Sequence, residues 1–205
     1  FHGRTLAGLA AAGNEKYLKG YAPTVEGFDH VPFGNLNELR AKIGKETAAI
    51  LVEPVQGEGG VLPAPAGFLE ALRALCDERG CLLLVDEIQT GVGRTGTFLG
   101  QEHAGVRADA ISMAKGLGGG FPIGAMLCGE HLAGALPPGT HGSTFGGNPL
   151  ASAAALSVLS VLDEERLVEG ARVKGDGLQA RLRRAAEAHP DVFEGARGRG
   201  LLQGI

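Results

Sequence analysis

Two short apolar runs, AAILVE at 48–53 and LLLVDE at 82–87, flank one amphipathic segment, GFLEALRALCDERG. That order restricts the fold more than any other feature of the sequence. Apolar runs of this length without polar alternation are the pattern of strands covered on both faces. In the segment between them Phe68, Leu72, Leu75 and Cys76 share one helical face, the charges fall largely opposite, and Gly80 supplies a stop. Strand, helix, strand predicts a right-handed parallel crossover. AISM at 110–113 and IGAMLCG at 123–129 predict two further strands. The link between these two has no room for a helix, so the second is expected to run antiparallel at a sheet edge. Asn148, followed by Pro149 at the favoured first position, opens a long Ala/Leu-rich helix. The expected fold class is α/β, with a mainly parallel sheet flanked by helices.

Composition sets the limits of function. Of 205 residues 44% are apolar, enough for a substantial core, and the net charge of −4 argues against a nucleic-acid partner or a membrane surface. No apolar run approaches the roughly 20 residues that span a bilayer. Cys76, Cys81 and Cys128 have no CxxC spacing, and an odd number fits no disulfide framework, so reduced thiols in a cytoplasmic protein are expected. The six histidines lack an HExxH pattern and no Cys/His set has zinc spacing, so no metal site is expected. After about Leu167 the sequence turns basic and polar, which predicts a large domain over 1–166 and the beginning of a smaller one over 167–205. The chain opens on Phe1 rather than Met and closes inside the apolar run GRGLLQGI, as expected of an internal piece of a longer protein.

In open α/β sheets ligands bind beyond the carboxyl ends of the strands. Three of the predicted strands end in polar side chains there: Glu53, Asp86 with Glu87, and Lys115, each followed by glycines. A lysine held in a partly apolar pocket has its ammonium form disfavoured, and the neutral amine is a nucleophile that forms a Schiff base with a carbonyl. A buried carboxylate such as Asp86 requires a cationic partner, and the protonated ring nitrogen of pyridoxal 5′-phosphate is one. GLGGG at 116–120 lacks the GK[ST] ending of a P-loop and the GxGxxG of a dinucleotide site. A nucleophile elbow of the GxSxG type is also absent.

Five ordered motifs carry a family likeness: FHGRTLAGLAA, EPVQGEGG, LLLVDEIQTGVGRTG, DAISMAKGLGGGFPIGAML and GTHGSTFGGNPLA. Together they resemble the class III (ornithine-type) aminotransferases of PLP-dependent transferase fold type I, and the likeness runs through essentially the whole chain. The resemblance implies that Lys115 is the lysine bonded covalently to pyridoxal phosphate and that Asp86 pairs with the ring nitrogen. It implies that Gln89 lies near the ring's phenolic oxygen, that Phe1 stacks on the ring, and that Thr144 binds the cofactor phosphate across a homodimer interface. Arg4, Ser143 and Glu58 correspond to substrate contacts, Glu58 to a glutamate that pairs in relatives with a C-terminal arginine. Glu53 reads as structural.

The implied reaction is transamination between a small amino donor and 2-oxoglutarate. FHGRT, with His2 where the ornithine enzymes carry a bulkier aromatic, favours N-acetylornithine as donor, with N-acetylglutamate semialdehyde and glutamate as products and arginine biosynthesis as the setting. Ornithine, succinylornithine and 4-aminobutyrate remain alternative donors, and a non-catalytic fragment remains an alternative to an enzyme. The family's main phosphate-binding turn is expected before Phe1, and the arginine that grips the substrate α-carboxylate after Ile205.

Overall fold

A computed structural model describes residues 1–205. The chain forms two compact units, Phe1–Glu46 and Thr47–Ile205. The first carries three short helices, α1 (Leu6–Ala12), α2 (Glu15–Leu18) and α3 (Leu36–Lys42). Each begins at a side-chain cap that satisfies an otherwise orphaned N–H: Thr5 for α1, Asn14 for α2 and Asn35 for α3. Gly13 ends α1 at φ +61°, and a side chain there would overlap the His30 ring, with 2.4 Å to Nε2.

The second unit is built on a sheet of four strands in the order β1 (Ala49–Val52), β4 (Leu82–Asp86), β5 (Ala110–Met113), β6 (Ala125–Cys128). The first three run parallel and β6 is antiparallel at the edge, as the short link to it requires. Two small antiparallel hairpins flank the sheet, β2 (Val55–Gln56) with β3 (Leu62–Pro63), and β7 (Arg197–Arg199) with β8 (Leu202–Gly204). The architecture is α/β with a mainly parallel sheet. The crossover from β1 to β4 contains α4 (Phe68–Arg79), which buries Phe68, Leu69, Leu72, Leu75 and Cys76 and stops at Gly80, φ +68°. With Leu83 and Val85 of β4, both at most 1% exposed, these residues form the core. Each such aliphatic side chain contributes about 1.5–3 kcal/mol on leaving water. Leu51 is 54% exposed, so β1 is covered on one face and not on the two expected from its sequence.

At the amino end of β5, Asp109 ties the crossover together. It accepts Arg73 Nη1–H and Leu83 N–H, both at 2.7 Å, and lies 3.1 Å from His131 Nε2. Burial works to raise this carboxyl, but the Arg73 guanidinium and the Leu83 amide outweigh it and hold it below the usual carboxylate range. Burial first, then Cys81, pushes the Cys76 thiol up to about 12. Cys76 and Cys81 are buried and Cys128 exposed, all three as free thiols.

Two long helices follow, α5 (Pro149–Glu164) and α6 (Leu167–Ala188). Asn148 caps α5, accepting Ala151 N–H at 2.9 Å, with Pro149 at the first helical position. Arg166, at φ +51°, breaks the chain between the helices. The turn Gly93–Gly96 lies against α6: a Cβ on Gly96 would stand 2.9 Å from Arg172 Cα. Gly175 of α6 touches Gly200 of the β7–β8 turn so closely that a Cβ would meet its carbonyl oxygen at 2.3 Å. Neither helix is long and apolar enough to cross a membrane.

Candidate active site

β4 and β5 run parallel with Asp86 in register with Ser112, three residues before Lys115. The two residues thus leave the sheet at the same edge, where adjacent parallel strands end. Asp86 is 7% exposed, and its Oδ1 accepts Ile88 N–H at 2.9 Å, which turns the chain sharply off the strand. Lys115 sits at φ +44° and begins a 3-10 turn, Lys115–Gly118. Left-handed backbone costs a non-glycine residue about 1–2 kcal/mol, and strain of this kind gathers at functional sites. The next residue, Gly116, lies against Val92, and a Cβ there would be in ordinary contact with Val92 Cβ at 3.5 Å. Val92 is itself a β-branched residue at φ +56°.

Lys115 is exposed. Gly116, Gly119 and Gly120, in and just after the turn that it begins, contribute no side chains around it.

The loop after β4 is organised from inside by Glu87, which is fully buried. Its Oε2 accepts the Thr90 hydroxyl and Gly100 N–H, and its Oε1 accepts Gln101 N–H, the two amide bonds at 2.8 Å. Burial pushes the Glu87 carboxyl up, and these three donors partly oppose the shift. Gly100 is needed for this closure, since a Cβ there would stand 2.8 Å from Thr90 Cβ. The sequence marks Glu87 only as the second acid of a strand-end pair, and its part in the loop went unread. Beyond it, His103 Nε2 is 3.1 Å from the Thr95 carbonyl and 3.1 Å from Thr97 Oγ1. Burial, then the charge of Arg199, lowers its pKa.

Gln89 is half-buried with its side-chain amide directly over Gly57 of the β2–β3 turn. The turn closes through Gly60 N–H and Val61 N–H, both donating to the Gly57 carbonyl, at 3.1 and 3.0 Å. Glu58 projects exposed from it. On its far side Arg197 Nε–H donates to the Gly60 carbonyl at 2.6 Å. The fold therefore gathers Asp86, Gln89, Lys115 and the turn bearing Glu58 at the carboxyl ends of the strands. Ser143 and Thr144 lie instead in an exposed irregular segment before α5, where Gly146 N–H donates to the Ser143 carbonyl at 3.2 Å. Phe1 and Arg4 belong to the first unit, in an aromatic cluster with His2 and Tyr17.

This donor set suits a phosphorylated pyridine aldehyde. Asp86 offers a shielded carboxylate for a protonated ring nitrogen, and Lys115 a primary amine for the aldehyde.

Residues 1–205, the entire chain, match the aminotransferase class-III family. The chain belongs to that family. Among curated relatives, this class-III chain is 56% identical to the acetylornithine aminotransferase of Myxococcus xanthus, covering 100% of itself and 51% of that protein. It is 49% identical to the acetylornithine aminotransferase of Rhodobacter capsulatus, covering 100% of itself and 52% of the relative. The chain thus spans about half the length of the curated relatives it matches. Among solved structures it is similar to the ornithine aminotransferase of Toxoplasma gondii, with TM-score 0.92 and 38% identity over 97% of this chain and 48% of that one. A second structure of that enzyme, at TM-score 0.93 and 38% identity over 98% of this chain and 48% of that one, is described with partial occupancy of PLP at its active site.

Proposed function

We propose that the protein containing this chain is a cytoplasmic, homodimeric, pyridoxal phosphate-dependent aminotransferase. It transfers the δ-amino group of N-acetylornithine to 2-oxoglutarate, a step of arginine biosynthesis. The observation that carries this reading is the pair at the strand ends, a shielded Asp86 and a backbone-strained Lys115 on adjacent parallel strands. Identity of 49–56% to acetylornithine aminotransferases supports the choice of donor. Ornithine is the second donor to consider, since the Toxoplasma gondii structures are of an ornithine aminotransferase.

Bound pyridoxal phosphate supplies an electron sink for the carbanion that transamination generates. Asp86 holds a proton on the ring nitrogen through its carboxylate. Lys115 Nζ would hold the cofactor's aldehyde and, once the substrate amine has taken that place, would carry the proton from the carbon bearing the amino group to the cofactor's aldehyde carbon. Gln89, fixed by its contact with Gly57, donates toward the phenolic oxygen. Phe1 would stack on the ring, and Arg4, Ser143 and Glu58 would contact the substrate. Thr144 is read as a phosphate contact made to a second subunit. Residues 167–205 are read as the start of a smaller C-terminal domain, following the break at Arg166.

A kinetic panel on the full-length protein tests the assignment. N-Acetylornithine is expected to give the highest kcat/KM among N-acetylornithine, ornithine, succinylornithine and 4-aminobutyrate. A preference for another donor refutes the substrate, and no transamination with any of the four refutes the function.

A further inference from the structure

Arg4 is held without an acid. The ion pairs of Lys42, Arg73, Arg79, His131 and Arg166 do not involve Arg4, whose five guanidinium N–H donors stand clear of these acids. What holds it is aromatic: Arg4 Cζ lies 3.9 Å from the centroid of Tyr17 and 5.6 Å from that of Phe1. At 3.9 Å the guanidinium carbon lies over the face of the Tyr17 ring, the placement of a cation–π contact. A face contact leaves the in-plane N–H fork available, and that fork matches the two oxygens of a carboxylate.

Local structure explains why Tyr17 is there to receive it. Gly3, at φ +129°, turns the chain before α1, and Thr5 starts the helix immediately after Arg4. Gly13 and Asn14 then make the corner into α2, whose third residue is Tyr17. The ring is half-buried, and Phe1 packs edge-on against it at 5.9 Å between centroids. One ring therefore fixes Arg4 and touches Phe1.

We propose that Tyr17 is a positioning residue for substrate recognition: its ring holds the Arg4 guanidinium with the fork presented to a carboxylate of the substrate, the dicarboxylic 2-oxo acid in particular. The inference rests on the aminotransferase reading for the identity of that substrate. The stack between Tyr17 and Arg4 stands independently of it.

The test uses the full-length holoenzyme and two readouts. The first is the KM for 2-oxoglutarate. Loss of a cation–π contact at an exposed guanidinium predicts a rise of about 2- to 5-fold in Tyr17→Leu with kcat nearly unchanged, restored by Tyr17→Phe, which keeps the ring face. The second is calorimetric binding of glutarate, an unreactive dicarboxylate. Tyr17→Leu should weaken it by the same factor, but should have no further effect in an Arg4→Gln background, because the two residues act as one unit. The double variant separates this role from a general loss of folding, which would add to the effect of Arg4→Gln. An unchanged KM and unchanged glutarate affinity in Tyr17→Leu overturn the proposal while leaving transamination intact. A protein that binds glutarate through this pair but transaminates nothing overturns the functional reading instead. A wild type that binds no glutarate overturns the proposal itself.

Discussion

Replacing Gly57 by alanine should separate the stability of the fold from the alignment of its active site. The added Cβ would stand 2.2 Å from Gln89 Oε1, 2.5 Å from Cδ and 2.6 Å from Nε2. All three atoms belong to the free end of a flexible side chain, and Gly57 has no left-handed backbone to strain. Gln89 can therefore yield by changing its side-chain torsions, at about 0.5–1.5 kcal/mol. Restoring ordinary van der Waals contact requires its amide to move about 1 Å, a displacement that can cost on the order of 100-fold in rate when the group is part of a reacting constellation. The expected outcome in the full-length protein is a thermal midpoint lowered by about 4 °C or less. Turnover should fall by about 10- to 100-fold. Adding Gln89→Ala to Gly57→Ala should cost little more, because both changes remove the same alignment. Turnover within about twofold of wild type would refute the idea that Gly57 sets Gln89 for catalysis, and so would full additivity of the two substitutions.

Three further outcomes follow from the geometry. Asp86→Asn should retain the cofactor, measured by absorbance after dialysis, yet lose on the order of 100-fold or more in kcat, since a neutral amide cannot hold the ring nitrogen protonated. Glu87→Ala strands the buried Thr90 hydroxyl and the Gly100 and Gln101 amides. At about 1 kcal/mol or more for each, this should lower the thermal midpoint and open the loop to trypsin at the exposed Arg94. Asp109 has its folded pKa lowered, so its contribution is fully present above the ordinary carboxylate pKa and disappears as the pH falls through the folded value. The gap in stability between wild type and Asp109→Asn, about 1–3 kcal/mol near neutrality, should close below about pH 4 in thermal melts across pH.

The sheet was legible because its strands are uninterrupted apolar runs and its helices carry local punctuation. Gly80 ends α4, and Asn148 with Pro149 begins α5, so these boundaries depend on neighbours in sequence. The β2–β3 hairpin was not legible: its strands are two residues each, too short for any periodicity, and its position depends on Gln89, which lies far along the chain. Glu87 escaped for a related reason. Two adjacent acids at a strand end look alike in sequence, and only the turn of the loop carries the Gly100 and Gln101 amides back to the second. The polar groups at the strand ends pointed to Asp86 and Lys115, and the family motifs gave them roles. The left-handed backbone at Lys115 had no signal, since lysine is not a residue that favours it.

The central claim is that Lys115 is the amine that bonds to the cofactor. Borohydride reduction of the full-length holoenzyme, followed by digestion and peptide mass mapping, tests it directly. The phosphopyridoxyl mass is expected on the peptide containing Lys115 and on no other, and it should vanish from that peptide in Lys115→Ala. A tag on a different lysine, or no tag on a protein that has retained its cofactor, would contradict the account.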